Sequence, residues 1–575
     1  MSSKRTSKIH TIAASFSKLT RFGKWKTQIV TKDKTLAPPS SGDRNLKIRP
    51  ADFSPDELYD DYDTLQEATL IVKERTTKTH HEFMAEWFVK LPQYLSAILK
   101  HESIGTLSLC KCDGGDLATY KCQTCTSTAP CCRTCIATNH KANPLHRIVF
   151  WNGQYFESVK QSAIGITMSL PHTSSGSCLH RISKGGITVV DINGFHEIDI
   201  DICGCDDAAT FDIQLLSSQL FAASVVSPKT AFTFQLLELF RVLHFDGKTS
   251  VHTFVGALTR LTTSDDFDSR HVMNRTREFR RVTHQWNYLC VEKQSIVADT
   301  SSCLLALCPA CPRPGMNMPH DWFDKTPLEK HWIARLIMHY DANFRLVLER
   351  QRHESSKDIG LWRGNAFFVE DAPYRDYLRV TDAPQQLSST CSNHRAISDT
   401  NRSRFNTLDV TGIAGAVCRH ECAIPGSFVN LFKGERYVNS DYAISNALSR
   451  LPNLKEIVLS YDIACQYSKQ FFSRIDRSPL LRQPNARLTF LVPKFHLPAH
   501  KEECRFQYSF NYAKGVGRTD GEAIERFWSP HNRLSGSTSK MTPNYRMDTL
   551  NSNFYDWNPP TLTAQTLQAT NFTTA

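Results

Sequence analysis

Leu459–Tyr467 reads LSYDIACQY, a short apolar run that ends on one carboxylate, Asp462. Aspartate is depleted in strands, so its position there needs a reason. Either Asp462 caps a helix that begins just after it, or a strand presents it as a metal ligand. The two roles are compatible, because an acid at the C-terminal end of a strand can face a site while the chain turns into helix. The other acids of the chain decide between them.

Two further stretches carry acids in suitable settings. HWIARLIMHYDANFRL runs apolar residues up to Asp341 and continues into a turn-compatible Ala-Asn. GVGRTDGEAIERFW sets Glu522 and Glu525 at i and i+3, on one face of a helix expected to start after Gly521. Asp520 could equally be the N-cap of that helix. Two strand-borne aspartates followed by a helical glutamate form the pattern of an RNase H-like DDE nuclease or transposase. Its chemistry needs hard anionic oxygen ligands for Mg²⁺ (or Mn²⁺), two ions about 4 Å apart, to drive an in-line phosphoryl transfer.

The densest local signal is CKCDGGDLATYKCQTCTSTAPCCRTCIATNHKANPLH. It offers four ligand pairs: Cys110/Cys112, Cys122/Cys125, Cys132/Cys135 and His140/His146, with Cys131 as a spare. Eight such ligands suit two tetrahedral structural Zn²⁺ ions. A cross-braced assignment, first pair with third and second with fourth, resembles the B-box family of zinc modules, although the opening C-x-C departs from it. In so small a segment the metal would supply much of the folding free energy, about 10 kcal/mol or more per ion.

Other thiols and imidazoles form weaker groups. Cys178, His196, Cys203 and Cys205 could hold another ion. Cys308 and Cys311 form a knuckle-like turn whose second pair could come from Cys391 and His394, or from Cys418, His420 and Cys422. HLPAHKEEC spaces His496, His500 and Cys504 by four, on one face if helical. Lys494 and Arg518 would suit phosphate contacts.

The chain has 575 residues, 41% hydrophobic and 22% charged, so several soluble domains are expected. No apolar run reaches the roughly 18 residues of a membrane span. A net charge of +11 permits an anionic partner such as nucleic acid. The basic start MSSKRTSKIHTIAASFSKLTRFGKWKTQ lacks a signal-peptide core and reads as a transit peptide or a nuclear basic tail. Without such a signal, the nineteen cysteines, many as C-x-C or C-x-x-C, point to metal thiolates over disulfides.

DANFRL, GERYVNSDYAISNAL, SYDIACQY, PKFHLPAHKEECRFQYSFNYAKGVGRTDGEAIERFWS and DTLNSNFYDWN together resemble the Kyakuja–Dileera–Zisupton (KDZ) transposases, abundant in fungi. The cysteine block and PKTAFTFQLLELF resemble the CxC cysteine-cluster domain that accompanies them. The resemblance covers roughly residues 100–560 and implies a DDE site with Asp341 first, Asp462 second, and Glu522 third with Glu525 as its competitor. Arg526 would pair with an acid or a phosphate, and Trp528 would pack.

The expectation is therefore a multidomain α/β protein. An RNase H-like core with a zinc-binding insertion would follow a B-box-like, treble-type cysteine-cluster domain and a helical segment. The expected boundaries are a tail over 1–65, a helical lead-in over 66–108 and a zinc domain over 109–227. A helical linker would cover 228–310 and the catalytic domain 311–560, with the insertion near 370–440, before a terminal tail over 561–575. Implied partners are transposon-end and target DNA, a second copy of the chain, and proteins binding the B-box-like module, in a nuclear setting. The polar ending PPTLTAQTLQATNFTTA departs from the long helical region common in the family, so a truncated or decayed copy is the alternative: a catalytically inactive or domesticated DNA-binding or protein-interaction protein.

Overall fold

The computed structural model describes the backbone of residues 11–19 and 25–33, and the chain from 78 to 558 apart from 113, 127–128, 173–177, 179, 264–273, 298–306, 352–357, 382–390, 392–406 and 452–453. The chain divides into two compact units, residues 1–91 and 92–575. In the first, Thr11–Leu19 (β1) and Trp25–Asp33 (β2) pair antiparallel, in a stretch expected to be a tail. The lead-in helix is His80–Glu102 (α1); residues 66–77 of its expected range lie outside the described residues.

The second unit begins with a three-stranded antiparallel sheet, Tyr120–Cys122 (β3), Ile148–Trp151 (β4) and Phe156–Ser158 (β5), and the helix Arg133–Asn139 (α2). A five-stranded sheet follows. Its strands are Thr167–Ser169 (β6), Arg181–Asp191 (β7), Gly194–Cys203 (β8), Leu220–Ala222 (β9) and Thr230–Thr233 (β10), in the order β6-β8-β7-β10-β9. GGITVVDINGFHEIDIDICGC, whose alternating β-branched residues favour strands, forms the β7–β8 hairpin. Gly194, at φ +123°, makes its tight turn possible.

PKTAFTFQLLELF, at the start of the expected helical linker, first completes this sheet as β10. The helix Phe234–Gly247 (α4, after the short α3, Phe211–Ser217) starts only where the Thr233 hydroxyl accepts the Leu236 N–H at 3.2 Å. Val251–Thr263 (α5) and Thr276–Val297 (α6) then pack Phe254, Leu258, Phe279 and Val282 around Phe240.

The third sheet carries the acids. Its strands are Leu336–Asn343 (β11), Gly412–Cys418 (β14), Val429–Leu431 (β15), Glu456–Ser460 (β16) and Arg487–Leu491 (β17), while Leu348–Glu349 (β12) and Leu408–Val410 (β13) pair separately. The order is β15-β14-β11-β16-β17, antiparallel on the β14 side of β11 and parallel on the β16 side. The 370–440 interval expected to be an insertion therefore contains two strands of this sheet. It also holds the helix Asp371–Val380 (α7) and the start of Tyr437–Ser449 (α8).

One face of the sheet packs Leu336, Met338, Tyr340, Ile457, Leu459 and Tyr461 against Ile444 and Ala447 of α8. Beyond β16 the chain turns through Tyr461–Ile463 into the short helix Ala464–Tyr467 (α9), and Glu502–Gln507 (α10) follows β17. The opposite face is closed by Ala523–His531 (α11) and Pro543–Trp557 (α12), whose Phe527, Trp528 and Phe554 surround Phe428. Each such buried side chain contributes about 1.5–3 kcal/mol. Trp528 packs as expected.

Candidate active site and metal centres

β11 and β16 pair in parallel with Leu336 beside Ile457 and His339 beside Ser460. The same offset separates Asp341 in β11 from Asp462, which follows β16 by two residues, so the two carboxylates lie near the same end of neighbouring strands. Strand alternation directs Tyr340 and Tyr461 into the core beneath α8, where their rings meet edge to face at 5.1 Å. Asp341, the next residue of β11, takes the other face, while Asp462 follows the end of β16 in the turn Tyr461–Ile463. Desolvation holds the Asp341 carboxyl well above the usual range, and the charges of Asp462, then Glu435, then Glu525 push it further.

Glu435 lies between β15 and α8 and accepts the Tyr461 hydroxyl proton. Burial and then the Asp462 charge raise its pKa to about 8. It belongs to the quoted GERYVNSD stretch, but sequence reading gave it no role. Nothing in its spacing links it to Asp462; only the Tyr461 hydroxyl does.

The two candidate third acids occupy different places. Glu522 is not on the helix: it is the N-cap position of α11, so the two glutamates do not form a helical i, i+3 pair. Its Oε1 accepts the Phe495 N–H at 2.8 Å, and its Oε2 lies 3.8 Å from His496 Nε2. Glu525 stands in the first turn of α11, exposed, with Oε1 3.9 Å from the same His496 nitrogen. Glu525 is among the charges that act on Asp341. Asp520 accepts the Glu522 N–H at 3.0 Å and pairs with Arg526 at 2.7 Å, so the expected partner of Arg526 is an acid. Lys494 meets Asp520 through its backbone N–H, at 2.8 Å.

Among the described residues, thiols and imidazoles gather into five groups, in each of which one ligand atom per residue lies within 4.8 Å of the others. Ligands at about 2.0–2.3 Å around a tetrahedral Zn²⁺ stand about 3.3–3.8 Å apart, so such spacing fits a shared ion and not a disulfide. Cys110, Cys112, Cys132 and Cys135 form one group, and Cys122, Cys125, His140 and His146 another, which is the cross-braced pairing. In the first, Cys112 and Cys132 sulfurs are 3.6 Å apart. In the second, Cys125 Sγ lies 3.4 Å from His140 Nε2 and 3.3 Å from His146 Nδ1. His140 Nδ1 donates to the Ile136 carbonyl at 2.9 Å, which turns Nε2 toward the thiols.

The third group is His172, Cys178, Cys203 and Cys205, with His172 Nδ1 3.1 Å from Cys203 Sγ. His196, expected here, sits near the other end of β8, about 23 Å along the strand. It is buried there against Gln161 and Asn193, and desolvation lowers its pKa to about 4. The fourth group joins the Cys308/Cys311 turn to Cys418 and His420, with His420 Nδ1 3.5 Å from Cys311 Sγ; Cys422 is close by.

The fifth group regroups the remaining candidates as Cys391, Cys465, His500 and Cys504. His394 lies outside the described residues. His496 is not part of the group but faces Glu522 and Glu525. The expected helix from His496 to Cys504 does not form. A 3-10 turn at Leu497–Ala499 contains Pro498, and His500 is extended before α10. Cys465 stands within LSYDIACQY itself, and its ligand role went unread because its partners come from distant segments.

Residues 334–558 match the family model of the Kyakuja-Dileera-Zisupton transposase. The chain carries a KDZ transposase domain. Residues 162–266 match the CxC2-like cysteine cluster associated with KDZ transposases. Neither the curated proteins nor the solved structures returned a match. The KDZ domain spans the third sheet, all the acids above and the fifth Cys/His group, whereas Cys308 and Cys311 precede it. The CxC2 region holds the His172 group, and the cross-braced pairs lie N-terminal to it. Together the two matches support a transposase-type function, and the cysteine clusters are consistent with zinc binding.

Proposed function

We propose that the chain is a metal-dependent DNA transposase whose KDZ domain cleaves and joins DNA strands at Asp341, Asp462 and Glu525. The observation that carries this reading is the parallel β11–β16 register, whose offset continues from His339/Ser460 to Asp341/Asp462, together with the charges of Asp462 and Glu525 that act on Asp341. Two acids on adjacent central strands and one on a covering helix are what an RNase H-like DDE core requires. The donor set fits a divalent cation. Its oxygens are hard, and the raised carboxyls are those whose mutual repulsion a cation relieves. Mg²⁺ bound there would activate a water or a 3′-hydroxyl and stabilise the leaving oxygen of an in-line phosphoryl transfer.

Asp341 and Asp462 would hold the cation from the sheet, and Glu525 would reach it from the helix. Glu522, tied to the Phe495 N–H, would position the start of α11. Tyr461 would hold Glu435 beside the pair.

For the DNA backbone we propose a cavity of about 830 Å³ between α6 and α12, lined by His252, Arg277, Arg280, Arg281 and Lys540. Its one carboxylate, Asp358, is engaged in capping α12: it accepts the Thr542 hydroxyl at 2.6 Å and the Asn544 N–H at 2.8 Å. The remaining charge is positive, which suits phosphates.

The deciding experiment is Mg²⁺-dependent cleavage of the element's terminal DNA by the full chain and by Asp462→Asn. Loss of cleavage by about 100-fold or more, with DNA binding retained, is expected. Undiminished cleavage by Asp462→Asn would overturn the assignment.

A further inference from the structure

The fifth Cys/His group lies at the root of the acidic site. Cys465 follows Asp462 by three residues, at the second position of α9, and is buried. Its sulfur lies 3.4 Å from His500 Nδ1, and Cys391 Sγ lies 3.5 Å from the same nitrogen. Cys504 completes the group from α10. Three thiols and one imidazole fill a tetrahedron and leave no open position, the donor set of a structural zinc ion.

Two chain segments that lead to the acids meet Cys391 at this point. One is the turn Tyr461–Ile463 that bears Asp462; it is otherwise fixed by the Tyr461 N–H to Leu491 carbonyl bond, 3.0 Å, and the Ala464 N–H to Tyr461 carbonyl bond, 3.0 Å. The second is the loop after β17. Phe495 and His496 at its start face Glu522 and Glu525, and His500 at its end enters the group. Cys391, buried, supplies the remaining ligand. Arg505 ties the loop to α10 by donating to the carbonyls of His500, at 3.2 Å, and Pro498, at 2.6 Å.

We infer that Cys391, Cys465, His500 and Cys504 bind a structural Zn²⁺ that sets the position of Asp462 and of the His496 loop. Zinc occupancy is then coupled to divalent-cation binding at the acids. The metal centre stands on the ligand geometry alone; the coupling rests on the acid-site reading above. The four residues are positioning residues, since none of them touches the reacting atoms.

The test uses the full chain, with zinc counted by elemental analysis and Mn²⁺ affinity at the acids measured by titration against Asp462→Asn. Cys391→Ser is expected to lose one zinc ion per chain and to weaken Mn²⁺ binding about ten-fold or more while circular dichroism stays folded. Cys391→His, which keeps a zinc ligand, should restore both. Cys178→Ser, in the third group, should lose one zinc ion and leave Mn²⁺ binding unchanged. If Cys391→Ser does not fold, Cys504→Ser, on the half-exposed α10, replaces it.

An undiminished zinc count in a folded variant would overturn the metal centre. Loss of zinc with unchanged Mn²⁺ affinity would overturn the positioning role. A wild-type chain with no Mn²⁺ site sensitive to Asp462→Asn would overturn the acid-site reading and the coupling with it, while the zinc count still decides the centre.

Discussion

At the residue scale the two glutamates of GEAIER separate by environment. Glu522 spends one oxygen on the Phe495 N–H, whereas Glu525 adds its charge to Asp341. Glu525→Gln is therefore expected to reduce strand cleavage about 100-fold. Glu522→Gln keeps an acceptor for Phe495 and should stay within about ten-fold. Cleavage assays on the two variants, side by side, check the assignment.

The raised carboxyls also set a pH dependence. Glu435 titrates near 8 in the folded chain without cation, and Asp341 too is held above its ordinary range, so both keep their protons where free acids would not. Cation binding must release these protons, so Mn²⁺ affinity should climb as pH rises from about 6 to 8 and level above that. In the chain without that cation the sign for stability is the opposite. Folding retains protons that the unfolded acids give up near pH 4–5, so the stabilisation is complete below that range and is lost as pH rises to about 8. Titrations at several pH values, repeated on Glu435→Gln with its shallower expected slope, test this.

At the element scale, what was legible in the sequence was what is local. The cross-braced pairs of 110–146 could be read because each pair is fixed by a short turn. The β7–β8 hairpin could be read because its alternation is continuous. The fifth group was not, since Cys391, Cys465 and His500 converge only through tertiary packing. The four-residue spacing of His496, His500 and Cys504 mimicked a helix that the extended backbone at His500 interrupts. Asp341 and Asp462 lay between these cases. Each could be picked out by its apolar run, but their level alignment depends on which strands pair.

Gly415 shows how closely that alignment is packed. It stands opposite Asp341 on β14, and a Cβ there would come 2.3 Å from Phe428 Cδ1. Gly415→Ala should cost about 1–3 kcal/mol through the displaced ring. A lowered urea midpoint with unchanged slope would show it.

At the scale of the whole molecule, the net charge of +11 permitted a polyanion partner without placing it. The structure gathers Arg277, Arg280, Arg281 and Lys540 from α6 and the segment before α12 into one cavity, although they are far apart in the chain. If DNA phosphates lie there, Arg280→Gln and Lys540→Gln should each flatten the plot of log affinity against log salt by about 1, uniformly across sequences. Binding isotherms at a series of salt concentrations measure that slope.

The alternating strand geometry around Asp462 has a consequence for related genomic copies. Tyr461 packs into the aromatic core directly before Asp462, so loss of a single residue within Glu456–Tyr461 would invert the strand's facing and move the acid to the place of Tyr461. Such a copy would still spell every motif, aspartate included, yet would bury the acid among tyrosines. Parity of spacing, and not survival of the letters, then separates a working gene from a fossil.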